Sequence, residues 1–263
     1  EMLLLSKVYK QNPDVRYKNA FLKGLDYLLA AQYDNGGWPQ FYPLIKRYYS
    51  HITYNDDAMV NVLELFRELK NKSNVYSITP SPEIVEKVNV AFNKGIDCIL
   101  KTQYKQNGQL TAWCAQHDEN TLLPAKARAY ELPSLSGKES AQIALLLMSI
   151  DNPNKAIINA VEGAIRWFEK TKITGVKIET VIDDVTKKKN KVVVSSPNLE
   201  EPLWARFMEL DTNVPFFCDR DGIKKVTLAE IGFERRNGYA WYTNEPKEVL
   251  DRKSTRLNSS HLG

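Results

Sequence analysis

The chain has 263 residues, 43% hydrophobic and 10% aromatic, with a formal charge of +4. That length suits one large domain or two small ones, and that balance suits a globular core rather than a disordered tract. No apolar run reaches the eighteen or so residues that span a bilayer, and the charge is too small to imply nucleic acid, so neither a membrane nor a nucleic-acid partner is expected.

Residues 1–10, EMLLLSKVYK, lack the basic start and small-residue cleavage site of a secretory signal. They read as the tail of a helix begun upstream, so the chain looks like a fragment. An internal repeat follows. FLKGLDYLLAAQY at 21–33 and FNKGIDCILKTQY at 92–104 share Phe, Lys, Gly, Asp, Leu, Gln and Tyr at an offset of 71 residues, and AVEGAIRWFEK at 160–170 is a weaker third copy. Each has the apolar spacing of an amphipathic helix. The first two copies run into polar loops, DNGGWPQFYPL at 34–44 and QNGQLTAWCAQHDE at 106–119. Second helices are expected at 56–69, 138–150 and 201–210, the last with Pro202 in a favoured first-turn position. Helical hairpins repeated in this way predict an all-α fold, an incomplete α/α toroid with its polar loops gathered at one end.

The stretch 111–137, TAWCAQHDENTLLPAKARAYELPSLSG, cannot be one helix, because Pro124 and Pro133 break it. It is expected to be a long ordered loop, and such loops inside domains are usually functional. Strand signals are few: VKIET at 176–180 and KVVVSS at 191–196 flank a turn-like basic run and predict one small exposed β-hairpin. Cys98, Cys114 and Cys218 have no metal-like spacing and read as buried thiols. The end of the chain, DRKSTRLNSSH, reads as translated sequencing adapter. One domain is therefore expected over 1–250, with a non-native tail from Asp251 to Gly263, and without that tail the charge falls to +2.

Chemistry-bearing residues cluster after the repeats. Asn55, Asp56 and Asp57 stand at a helix entrance; capping needs one such residue rather than three, which leaves a ligand role open. Asp118, within QHDE, offers a carboxylate suited to calcium. Arg206, Arg220, Arg235 and Tyr239 lie in loops rich in aromatics, beside Trp241 and Tyr242. Arginines and carboxylates on loops together suggest an anionic substrate bridged by a divalent cation. No phosphate-loop, dinucleotide, zinc-protease or α/β-hydrolase motif is present.

DNGGWPQFYPL, HITYNDDAM, TAWCAQHDE, AKARAYELPSLSG, LWARFMELDTN, CDRDG and ERRNGYAWY resemble the pectate lyases of polysaccharide lyase family ten. A secreted or periplasmic full-length parent and a monomer are expected, and the resemblance implies an enzyme on an α/α toroid. It would cleave α-1,4-polygalacturonate by calcium-assisted β-elimination, releasing 4,5-unsaturated oligogalacturonates. It implies that Arg128 is the base, that Asp56 binds Ca2+ and substrate, and that Arg206 and Arg220 hold substrate carboxylates; Asp118, from its own chemistry, is expected to join Asp56 as a Ca2+ ligand. Asn55, His117, Arg235 and Tyr239 complete the expected substrate-binding set. The family also has an earlier GGWP loop and an aspartate–asparagine pair that are absent here, so the chain as given is expected to fold poorly or be inactive. His117 is the more ordinary base by pKa and stays open as an alternative. Two further readings remain: a non-catalytic carbohydrate-binding repeat protein, and a glycoside hydrolase using two opposed carboxylates such as Asp56 and Asp118.

Overall fold

A computed structural model describes residues 1–199 and 201–260. Eight α-helices form among them: α1 Met2–Gln11, α2 Val15–Ala30, α3 Ala58–Lys70, α4 Pro82–Thr102, α5 Gly137–Met148, α6 Lys155–Thr171, α7 Phe233–Gly238 and α8 Pro246–Ser260. None is long and apolar enough to cross a membrane. The chain divides into two compact units, the first Glu1–Lys101 with Asp118–Leu122, the second Thr102–His117 together with the chain from Leu123 on.

The repeat has a physical basis. In the first unit the Gln32 amide donates to Gly36 O at 3.0 Å and to Ala91 O at 2.8 Å, so the end of α2 is stitched to its own loop and to α4. In the second unit Gln103, 71 residues on, donates to Thr111 O and Ala160 O, both at 2.9 Å, stitching its loop to α6 in the same way. The repeated glycines mark close packing. A Cβ at Gly24 would lie 2.5 Å from Met2 Sδ, one at Gly95 2.6 Å from Leu63 Cδ2, and one at Gly163 2.7 Å from Leu110 Cβ. Asp14 caps α2 by accepting from Arg16 N, and Asn154 caps α6 by accepting from Ile157 N. α3 buries Met59, Leu63, Phe66 and Leu69 on one stripe. Leu25, Phe21, Phe66 and Ile99 are fully buried, each burial worth roughly 1.5–3 kcal/mol.

The all-α toroid expected from the repeat is corrected by the strand content. Among the described residues ten short strands accompany the helices, and the architecture is mixed α and β. The expected hairpin forms, longer than foreseen: Val176–Ile182 pairs antiparallel with Lys189–Ser195. Helix 201–210 does not form. Its backbone is claimed from elsewhere: Arg206 N donates to Trp241 O at 2.8 Å, Met208 N donates to Leu135 O at 3.0 Å, and Trp204–Ala205 pairs with Tyr242–Thr243. An amide pledged to a distant carbonyl cannot also close a helical turn. The aromatic cluster beneath this region packs Phe207, Phe216, Phe217 and Trp241 with Leu228 and Ile231. The three cysteines are free and buried.

Candidate active site

The expected site residues fall into two sets, one in each unit. In the first unit, Asn55, Asp56 and Asp57 form a short 3-10 turn before α3. Asn55 is buried, and its amide donates to Asp56 Oδ2 at 2.8 Å. Asp56 (φ 52°) and Asp57 (φ 61°) are both left-handed. Aspartate tolerates this region better than most residues, but two in succession carry strain of order 1 kcal/mol or more each, and such strain concentrates at ligand sites.

Asp118 sits in a tight turn of its own. Its Oδ1 accepts from Asn120 N, from Thr121 N at 2.7 Å and from the Thr121 hydroxyl. These bonds, that from the Thr121 amide foremost, hold its carboxyl below the ordinary range. Glu119 follows. Its backbone carbonyl accepts from Asn35 Nδ2, and its carboxylate is 2.9 Å from His51 Nδ1. Burial pushes the Glu119 carboxyl up, but the His51 contact and further hydrogen bonds outweigh it and carry it down. Ligand atoms of His51, Asp118 and Glu119 lie within 4.8 Å of one another, a group that does not include Asp56. Sequence reasoning did not select His51 or Glu119. The only signal for either was membership of the HITYNDD and QHDE motifs.

The second unit gathers four arginines around two tyrosines. The rings of Tyr130 and Tyr239 meet edge to face, 5.5 Å between centroids. The Arg128 guanidinium carbon lies 5.0 Å from the Tyr130 ring centroid, that of Arg235 4.6 Å and that of Arg220 6.0 Å. The Arg206 carbon lies 4.6 Å from the Tyr239 centroid. Stacking over an aromatic face stabilises a cation without neutralising it.

Three glutamates hold these arginines. Arg128 donates through Nε (2.7 Å) and Nη2 (2.5 Å) to the two oxygens of Glu131, which also accepts from the Tyr239 hydroxyl at 3.0 Å. The Glu131 bond keeps the Arg128 guanidinium protonated beyond its ordinary range. Burial works against the Glu131 anion, yet the Arg128 hydrogen bonds carry its carboxyl below the usual value. Arg206 is buried and donates to Glu139 Oε1 at 2.9 Å; Glu139 also accepts from Ser136 Oγ. Glu234 takes Arg220 on one side and Arg235 on the other. The bond from Arg235, then that from Arg220, pulls its carboxyl down to about 2.

Position is enforced by the backbone. Asp219 accepts from Arg220 N at 2.9 Å and Gly232 N at 2.5 Å, tying the CDRDG loop to the start of α7. A Cβ at Gly232 would sit 2.6 Å from Asp219 Oδ2.

Arg128, Arg206, Arg220, Arg235 and Tyr239 thus come together. The Arg128 and Arg220 side chains are 44% and 65% exposed, whereas those of Arg206 and Arg235 are at most 9% exposed. His117 is fully buried beside Pro124. Tyr130, Glu131, Glu139 and Glu234 were not selected from the sequence: Glu139 meets Arg206 only across 67 residues, and although Glu131 and Glu234 have arginines close by in sequence, their second partners, Tyr239 and Arg220, are brought by folding. Chemically, four arginines against three glutamates leave a net charge of +1 beside flat apolar rings, with the guanidiniums held in place by their carboxylates, an arrangement suited to a carboxylated sugar chain.

A family model described as pectic acid lyase matches residues 1–250. A solved family 10 polysaccharide lyase from Cellvibrio cellulosa is similar to this chain with TM-score 0.86 and 36% identity, over 97% of this chain and 77% of that one. An aspartate-to-alanine mutant of a family 10 polysaccharide lyase from Cellvibrio cellulosa, in complex with trigalacturonic acid, is similar with TM-score 0.85 and 36% identity, over 97% of this chain and 78% of that one. No curated protein matches.

Proposed function

The chain belongs to the pectic acid lyase family and is a polysaccharide lyase, and from that premise we propose that it cleaves α-1,4-polygalacturonate by β-elimination with Arg128 as the base. The observation that carries this reading is the cluster of Arg128, Arg206, Arg220 and Arg235 around Tyr130 and Tyr239. A proton beside a carboxylate is very weakly acidic. Elimination becomes feasible when fixed positive charge faces the carboxylate that turns enolate-like as the proton leaves. The exposed Arg220, which shares Glu234 with Arg235, is placed to pair with a uronate carboxylate, and the surplus of four arginines over three glutamates leaves positive charge that is already fixed in place. Arg128, half-exposed at the same rings, takes the proton from carbon five, and the glycosidic oxygen leaves from carbon four. The product carries a 4,5 double bond.

The donor chemistry in the first unit fits calcium. Asp118 and Glu119 offer hard carboxylate oxygens close to one another, Asp56 offers a further one outside that group, and a polyuronate brings more of the same kind. Bound there, Ca2+ would neutralise substrate carboxylate charge. His51 adds a nitrogen that calcium does not favour, so it serves better as the partner of Glu119 than as a ligand.

Arg128 must be neutral to act as a base, and its bond to Glu131 opposes that. The reading therefore requires alkaline pH: the neutral guanidine grows only as pH rises toward its pKa, and raising that pKa moves the increase in rate further up the scale. A polymer substrate cannot cross a membrane intact, so this reading places the protein outside the cytoplasm.

Calcium-replete digests of polygalacturonate followed by ultraviolet absorbance test the proposal. Elimination creates a conjugated double bond and absorbance grows; hydrolysis cuts the polymer without it.

A further inference from the structure

Arg128 has two edges, and Glu131 holds one of them. Its Nε and Nη2 both donate to Glu131, and its backbone amide donates to Glu131 Oε2 at 3.1 Å. The backbone closes the same loop: Glu131 N donates to Arg128 O at 2.9 Å, and Ala127 N to Glu131 O at 3.0 Å. The Glu131 side chain is 5% exposed while that of Arg128 is 44% exposed. The carboxylate is a buried anchor, fixed from behind by the Tyr239 hydroxyl, and the guanidinium reaches outward from it. With Nε and Nη2 occupied, Nη1 is the guanidinium nitrogen that Glu131 does not hold.

Resting on the assignment of Arg128 as base, we propose that Glu131 is a positioning residue for the elimination: it grips the Nε–Nη2 edge of Arg128 and so presents Nη1 to the proton on carbon five. The proton passes from carbon five to the lone pair of Nη1 of the neutral guanidine, the electron pair of the broken C–H bond forms the double bond, and the oxygen leaving carbon four keeps the C–O pair and takes a proton from solvent water.

A proton relay through Glu131 is the competing role, and magnitudes decide against it. Moving a proton from arginine to a carboxylate runs against a gap of about eight pKa units between their ordinary values, roughly 10⁸-fold. The shifts here widen that gap, since arginine is raised and glutamate lowered. What remains for Glu131 is aim. Orientation matters at this scale, because a misplacement of about 1 Å at a reacting group costs roughly 10²-fold in rate.

The test measures Glu131→Gln, Glu131→Asp and Arg128→Lys on polygalacturonate with calcium, from neutral to strongly alkaline pH, with thermal melts as a check on folding. Glu131→Gln keeps the size and one acceptor but loses the charge. Its kcat should fall about 10²-fold while KM moves less than roughly threefold, because substrate binding is not what Glu131 serves. Its alkaline rise should also shift to lower pH, because the anion that raises the Arg128 pKa is gone. A merely structural glutamate would lose activity only in proportion to folded protein, with kcat per folded molecule at the parental value. If Glu131→Gln does not fold, Glu131→Asp carries the test. It keeps the charge but shortens the reach, so kcat should fall with the midpoint nearly unmoved. Arg128→Lys without turnover, together with folded Glu131 variants at parental kcat, overturns the positioning role alone. Arg128→Lys at near-parental turnover overturns the base assignment itself, and the positioning role with it.

Discussion

Arg206→Ala is the perturbation whose size the structure sets most clearly. Arg206 Nη2 donates to Glu139 Oε1 at 2.9 Å, with the two side chains 8% and 0% exposed. Deleting the arginine leaves a carboxylate in a buried site with Ser136 as its remaining named partner. Removing one member of a buried pair costs about 3–5 kcal/mol, because the other charge stays buried without compensation. Stability of a folded domain totals only about 5–15 kcal/mol. At about 2–4 °C per kcal/mol for domains of 150–250 residues, the melting temperature should drop by roughly 6–20 °C. Scanning calorimetry at neutral pH, in parallel with circular dichroism, reads this directly. The double change Arg206→Met with Glu139→Leu should recover most of the loss, since an apolar pair of similar volume replaces a buried ion pair at little net cost. Arg220→Ala, at a pair whose side chains are both mostly exposed, should barely move the melt. A drop for Arg206→Ala no larger than that for Arg220→Ala would refute the reasoning, and Arg206 would then be a surface-like ligand rather than a buried part of the site.

Three further outcomes are expected. Arg128→Lys should abolish turnover while leaving substrate affinity within a few-fold, because lysine keeps the charge but loses the planar fork; a raised KM with intact kcat would make Arg128 a carboxylate clamp instead. Turnover should require calcium and be poorly restored by magnesium, which holds its water and demands strict octahedral geometry; full rate in excess chelator would remove the metal from the account. Gly36→Ala should destabilise the first unit strongly. Gly36 has φ 94°, and a Cβ there would fall 2.0 Å from Lys94 O, a backbone atom that cannot swing away; a melt shifted by less than about 1 °C would show that the backbone relaxes more cheaply than this contact allows.

What the sequence made legible were features whose cause is local. The repeated glycine and glutamine could be seen because each recurs at a fixed place on or just past its own helix, Gly95 within α4 and Gln103 one residue beyond it, even though Leu63 and Ala160, which they meet, are distant. The motif arginines were readable for their chemistry. Segment 201–210 misled, because Leu203, Trp204, Phe207 and Met208 have helix-like spacing. What overrode that spacing were carbonyls of Trp241 and Leu135, which no local window contains. The same holds at the site. His51 finds Glu119 68 residues away, and Tyr239 finds Glu131 108 residues away. A carboxylate that anchors an arginine looks in sequence like any other glutamate, and only folding shows Glu131 buried and Arg128 half-open. The toroid failed for a related reason: the repeat forecast the hairpins of helices, but the strands between 173 and 243 depend on pairing that has no period.

The most direct test of the central claim is the ultraviolet absorbance of polygalacturonate incubated with the protein and calcium at alkaline pH, read beside the release of reducing ends. The account predicts that absorbance and reducing ends rise together, one conjugated double bond for each cut, and that Arg128→Lys abolishes both. Reducing ends without absorbance would contradict it in favour of hydrolysis. Binding of the polymer with neither signal would contradict it in favour of a non-catalytic carbohydrate-binding protein.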